Sequence, residues 1–235
     1  MITINNLHKR FGKNQVLKGV DLEIKEGGIF AILGPNGSGK TTLIKCILGM
    51  ALPTKGTILV KDRPVAKHWK YRKEIDYLPQ IANFPGNLKV RELIAMIKDL
   101  RGSTDADEAL IKSFDLAPFM DKKLGNLSGG TKQKVNLVLT FMFNSPIIIL
   151  DEPTAGLDPI AMLFLKELIN KERASGKTVL ITSHIMSFVE EIAGEIVFLL
   201  EGKVYFKGDI AALKAKTGQK DFEHAIATML KENYA

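Results

Sequence analysis

Two kinds of hydrophobic pattern share this chain. Val20, Leu22 and Ile24 alternate with Asp21, Glu23 and Lys25, and a period of two predicts a strand with one buried face. Ile2 and Ile4 begin a shorter run of the same kind, and residues 57–60 and 75–80, the latter ending in Gln80, read as further strands. The run at 147–150 is apolar without alternation, as expected of a parallel strand covered on both faces; 29–33 reads as a buried strand and 178–182 as a core strand. Helical spacing appears at 41–48, where Leu43, Ile44, Ile47 and Leu48 share a face, and dominates from 81 to about 144. There the candidates are 88–100, 105–114 and 132–143. Asp158-Pro159 opens another helix as an N-cap followed by proline at the first helical position. A hairpin is expected at 196–206, then two short helices, one after Gly208-Asp209 and one over 221–232. Strands alternating with helices predict an α/β fold, with antiparallel strands mixed into the N-terminal third.

Size and charge narrow the picture. A chain of 235 residues makes one large domain or two small lobes around one core. Its one cysteine, Cys46, rules out an internal disulfide and fits a reducing compartment; on the apolar face of its helix it reads as packing. The opening Met1-Ile2-Thr3-Ile4-Asn5 shows no charged-then-apolar leader. The most apolar stretch, 135–150, is interrupted by Asn136, Thr140 and Asn144-Ser145-Pro146, so a membrane role is expected to come through a partner. The formal net charge of +7 is compatible with nucleic acid, an anionic membrane surface or a phosphate ligand. The basic, aromatic stretch Lys67-His68-Trp69-Lys70-Tyr71-Arg72-Lys73 resembles a nucleic-acid patch. No recognised nucleic-acid module accompanies it, so an exposed helix with its aromatics on the core is the preferred reading.

The densest chemistry lies in Gly34-Pro35-Asn36-Gly37-Ser38-Gly39-Lys40-Thr41-Thr42, which fits G-x-x-x-x-G-K-[ST] between an apolar strand and a helix. The glycines and Asn36 let backbone N–H groups curl around a polyphosphate, and the helix beginning near Lys40 adds its positive end. Lys40 supplies a mobile charge for the β- and γ-phosphates, and the Thr41 hydroxyl a ligand for Mg²⁺. Asp151 and Glu152 emerge at the end of the 147–150 strand. Asp151 is placed to hold Mg²⁺ and Glu152 to polarise a water for attack on the γ-phosphate. Leu127-Ser128-Gly129-Gly130-Thr131 precedes a helix. It reads either as a plain N-cap or as a second anion site, most naturally for the nucleotide of another chain. His184 follows a core strand, where α/β ligand sites lie. Phe11, in a polar loop, is open to core packing or nucleobase stacking. Capping alone accounts for Asp158, and Glu167 with Lys171 makes a solvated i,i+4 pair.

Taken together, these residues resemble the nucleotide-binding subunits of ABC (ATP-binding cassette) transporters over nearly the whole chain. Residues 34–42 look like the Walker A motif, 148–152 Walker B, Gln80 the Q-loop, Leu127 to Gly130 the signature, Ala155-Gly156-Leu157-Asp158 the D-loop and His184 the H-loop. Thr131 stands where the signature usually has Gln, and Phe11 where the adenine-stacking residue is usually Tyr. The resemblance implies one ABC ATPase domain. Its RecA-like P-loop core and antiparallel β subdomain would occupy 1–80 and 147–235, and an inserted helical subdomain 81–146. It further implies a head-to-tail homodimer with two ATP molecules sandwiched at the interface. Each would be held by Lys40, Thr41 and Asp151 of one copy and Ser128 and Gly130 of the other, with Phe11 on adenine. Glu152 would be the base, His184 would contact the γ-phosphate, and Gln80 would sense Mg²⁺ and water. An integral membrane permease would dock on the helical lobe, placing the protein on the inner face of the cell membrane. The short C-terminal region is similar to ATPases of ABC-2-type systems. The signature helix start, Ser-Gly-Gly-Thr-Lys-Gln-Lys-Val, is also similar to the copper-processing ATPase of nitrous-oxide reductase maturation. A soluble ABC ATPase acting on nucleic acid or ribosomes is the rival, disfavoured because such members carry two cassettes or long coiled coils.

Overall fold

Alternation along the N-terminal strands builds the first sheet. The computed structural model describes residues 1–66, 68–102 and 108–234. Strands β1 (Ile2–Phe11), β2 (Asn14–Ile24), β4 (Lys55–Val60) and β5 (Arg63–Pro64) form an antiparallel sheet in the order β2-β1-β4-β5. Its register sets Ile2 between Ile24 and Val60, and Ile4 between Leu22 and Ile58. Cross-strand apolar pairs of this kind stabilise a sheet while polar neighbours face outward. β1 runs further than its short apolar start suggests, so Phe11 ends a strand instead of lying in a loop.

The second sheet has the order β10-β9-β3-β8-β7-β6. Strands β3 (Gly28–Leu33), β6 (Ile75–Leu78), β7 (Ile147–Asp151), β8 (Thr178–Thr182) and β9 (Glu195–Leu200) pair in parallel, and β10 (Lys203–Gly208) closes the edge as a hairpin. Every residue of β7 and β8 is buried. The two faces of this sheet feed two separate cores. Ile147, Ile149, Phe30 and Ile32 pack with the antiparallel sheet and helix α1 (Lys40–Ile47). Ile148, Leu150, Ile29 and Ala31 pack with the helices on the opposite side.

Between β6 and β7 the described regular elements are helices, apart from one bridge pairing Lys89 with Lys123. It carries α2 (Val90–Arg101), α3 (Glu108–Ser113) and α4 (Gly129–Phe141). Helix α2 starts two residues later than its periodicity suggests, where Glu92 reaches back to accept from the Lys89 backbone N–H at 2.8 Å. The expected start of α3 at Asp105 lies outside the described residues. Helix α4 starts earlier than 132, because Ser128 caps it and both glycines join the first turn. Helices α5 (Pro159–Ala174), α6 (Met186–Ile192), α7 (Ile210–Thr217) and α8 (Phe222–Tyr234) complete the fold. The basic stretch becomes a short 3₁₀ helix, Lys70–Glu74. Tyr71 is buried as expected of its aromatics, but Trp69 stays 61% exposed; Lys67 lies outside the described residues.

Candidate active site

At the carboxyl ends of the parallel strands, where α/β folds place their ligand sites, the chain forms a cavity of about 360 Å³. Asn36, Gly37, Gly39, Lys40, Thr41 and Thr42 line one side of it and Gln80, Asp151 and Glu152 the other. β3 delivers the glycine loop, β6 leads to Gln80, and β7 ends in Asp151. Gly34 cannot be replaced at this turn: its φ is +145°, and a Cβ there would stand 2.0 Å from the Leu199 carbonyl oxygen.

Lys40 reaches back across its own loop, donating to the carbonyls of Gly34 at 2.7 Å and Pro35 at 3.1 Å. Burial lowers its pKa, and the nearby Glu152 and Asp151 carboxylates oppose that shift. The ammonium is therefore braced against carbonyl groups and flanked by acids, placed to exchange those partners for an anion.

Thr182, at the end of β8, organises the acids. Its hydroxyl donates to Asp151 Oδ1 at 2.5 Å and accepts from the Glu152 N–H at 3.0 Å. Glu152 itself adopts φ +53°, a conformation unusual for a non-glycine residue and often found at functional sites. Its Oε2 lies 2.8 Å from His184 Nδ1; with the carboxylate ionised, that ring nitrogen is the donor. The His184 side chain is 73% exposed while that of Glu152 is 11% exposed, so the imidazole caps the carboxylate from the solvent side.

Two polar atoms here are buried without a hydrogen-bond partner: Asp151 Oδ2 and Ser38 Oγ. Unpartnered buried carboxylate oxygen is costly, and with Thr41 and Gln80 on the same cavity it suits Mg²⁺. Among the described residues no group of three or more His, Cys, Asp or Glu side chains is arranged as a metal cage.

Other candidates stand apart. Ser128, Gly129 and Gly130 are not among the cavity-lining residues; they form the start of α4, where the Ser128 hydroxyl accepts from the Thr131 N–H at 3.2 Å and lies 2.8 Å from the Thr131 hydroxyl. Phe11 is 51% exposed beneath the Lys9 ammonium, 4.6 Å from the ring centroid. Asp158 accepts from the Ala161 N–H at 2.9 Å and pairs with Lys134 at 2.6 Å, which holds its carboxyl below the usual range. Asn14 and Val16 line the cavity from β2, and neither they nor Thr182 stood out as candidates. Thr182 sits in an apolar strand whose sequence does not reveal that Asp151 is its register partner.

A glycine loop between strand and helix, with two acids on a neighbouring strand end, defines a P-loop nucleotide-binding protein. The ABC transporter family model matches residues 17–155. An uncharacterized ABC transporter ATP-binding protein of Bacillus subtilis (strain 168), YhaQ, is 34% identical over 94% of this chain and 75% of its own length. Nod factor export ATP-binding protein I of Burkholderia orbicola (strain AU 1054) is 35% identical over 90% of this chain and 72% of its own. Among solved structures, an ATP-binding subunit of an ABC transporter superposes with a TM-score of 0.90 at 28% identity, covering 97% of this chain and 98% of that one. The chain belongs to the ABC transporter family, as an ATP-binding subunit and ABC-type ATPase.

Proposed function

We propose that this chain is the ATP-hydrolysing motor of an ABC-2-type exporter, working as a head-to-tail homodimer on the inner face of the cell membrane and driving a separate permease. The observation that carries the reading is the separation of two anion readers in one chain. The P-loop cavity has its own complement of donors, while the capped start of α4 stands outside it. A second copy turned head to tail would bring Ser128 and Gly130 to the nucleotide held by Lys40 and Thr41. A dimeric ATP-binding cassette has been solved in a post-hydrolysis state with ADP and Pi, with a TM-score of 0.78 at 28% identity over 89% of this chain and 98% of that one. Nod factor and lantibiotic transport names among the relatives favour export over copper processing.

In this reading Lys40, the loop N–H groups and the α1 N-terminus bind the phosphates, and Phe11 stacks on adenine. Thr41, Asp151 and Gln80 hold Mg²⁺, which when bound neutralises phosphate charge. Glu152 takes the proton of the attacking water, and His184 steadies that carboxylate and contacts the γ-phosphate. Closing the dimer excludes bulk water, which strengthens every charge interaction inside. Asp158 carries the D-loop to the interface.

The test is ATP turnover and light scattering for wild type and Glu152→Gln. The expected result is turnover in the wild type, at least about a hundredfold less in the variant, and a variant dimer that appears only with ATP. A wild type that hydrolyses ATP strictly as a monomer would overturn the sandwich reading.

A further inference from the structure

Two further grooves lie away from the nucleotide cavity, and their chemistry is not used by it. One, of about 530 Å³, is walled by Met50, Tyr77, Ile81, Phe84 and Phe143. The other, of about 510 Å³, is walled by Trp69, Leu100 and Phe143, with Arg72 and Lys73 at its rim. They share Arg101 and Phe143, so they adjoin; the first lies against the helical lobe, where the permease is expected, and the second, around Trp69, is unassigned. Trp69 is 61% exposed, Leu100 73% and Ile81 73%. Exposed large apolar side chains gathered on one side mark an interaction surface.

Basic side chains outnumber acidic ones in the groove linings. A smaller groove, lined by the sequence neighbours of Trp69 but not by the indole, holds Arg63, His68 and Lys70. Across the lining of all three grooves the only carboxylate is Asp76, which is buried and paired with Arg101. Arg72 is committed to the backbone carbonyls of Leu48 and Gly49 at 3.0 Å each. Lys70 and Lys73 are exposed three residues apart in the 3₁₀ turn that follows Trp69, a spacing that puts them on one face, and Glu74 at the end of the turn pairs with Lys61.

We infer that the Trp69 edge is a direct contact with an anionic bilayer surface. An indole favours the headgroup layer, apolar body inward and N–H toward water. Flanking lysines gain from the negative surface potential of acidic lipids, and Leu100 adds apolar area beside the ring. The chain then touches lipid itself instead of reaching the membrane only through a partner. No described helix is long and apolar enough to cross a bilayer, so the contact is peripheral. The inference extends the proposed location at a membrane and uses no nucleotide chemistry.

Trp69 is the only tryptophan in the chain, so its fluorescence reports this edge alone. The full chain, without nucleotide, is mixed with vesicles of phosphatidylcholine or of phosphatidylcholine with phosphatidylglycerol, and with a double-stranded oligonucleotide as a second polyanion. Expected is co-sedimentation with the anionic vesicles, a blue shift of Trp69 emission, and loss of both in high salt. Lys70→Glu with Lys73→Glu weakens partitioning at least about tenfold and leaves basal ATP turnover unchanged, which also reports that the variant folds. No co-sedimentation, or co-sedimentation with unchanged emission, overturns the inference. So does an emission change with the oligonucleotide and none with vesicles, which assigns the edge to nucleic acid. Loss of turnover or of ATP-dependent dimerisation leaves the vesicle result untouched, so the two readings fail separately.

Discussion

Thr182 shows how much one hydroxyl can hold. It donates to Asp151 and accepts from the Glu152 N–H, so it sets the position of both acids at the strand end. Thr182→Val keeps the shape and removes both side-chain bonds, leaving Asp151 Oδ1 buried without that donor while the Glu152 N–H keeps the Thr182 backbone carbonyl at 3.1 Å. The expected stability cost is about 1–3 kcal/mol, with a fall in kcat of about tenfold or more because Glu152 loses its fixed aim. Thr182→Ser restores most of both. Thermal unfolding and steady-state ATP turnover check the pair; a Val variant with unchanged kcat would show that Glu152 is aimed by His184 alone. The P-loop and the acids were legible because their spacing is local. Thr182 was not, since its partners lie 31 and 30 residues away and meet it only through the β7–β8 register.

At the scale of elements, the start of α4 is tied to the loop that follows the catalytic strand. Gln133 donates to the Pro153 carbonyl at 3.1 Å, and Lys134 pairs with Asp158. Gly130 lies so close to this loop that an added Cβ would stand 2.5 Å from the Gly156 carbonyl oxygen. Gly130→Ala therefore forces the two segments apart. The expected outcome is nucleotide binding by the monomer close to wild type, with turnover reduced about tenfold or more as the α4 start shifts. Nucleotide titration beside an ATPase assay separates these two effects. Asp158→Ala removes an N-cap from α5 and should cost about 1 kcal/mol in unfolding experiments. Pattern alone identified both caps as capable of starting helices; it did not reveal that the two helix starts face one another.

At the scale of the molecule, the parallel sheet divides the interior in two, and one ion pair fastens the helical segment to it. Arg101, at the end of α2, pairs with Asp76 in β6, while the Ser145 N–H donates to the same carboxylate at 3.2 Å. Burial holds the Asp76 pKa above its usual value, with Arg101 and then Ser145 pulling it back. A raised carboxyl favours the fold below its unfolded pKa, and that contribution is lost as pH rises through the folded one. Arg101→Met strips the charged form of its main counterweight, so the folded pKa rises further. Near neutrality the variant should lose roughly 3 kcal/mol, and the gap to wild type should narrow on acidification as Asp76 protonates; denaturant unfolding across pH measures it. The sequence by itself determined the α/β class, the strand–loop–helix around Lys40, the acids after β7 and the capped glycines before α4, because each depends on neighbours within a few positions. That Gln80, Asp151 and Lys40 share a cavity and Ser128 does not was implied by the family resemblance and is brought about by the tertiary structure, which alone turns Trp69 outward. Those outcomes follow from strand order, register and the side of the sheet on which each connection lands, which local periodicity does not encode.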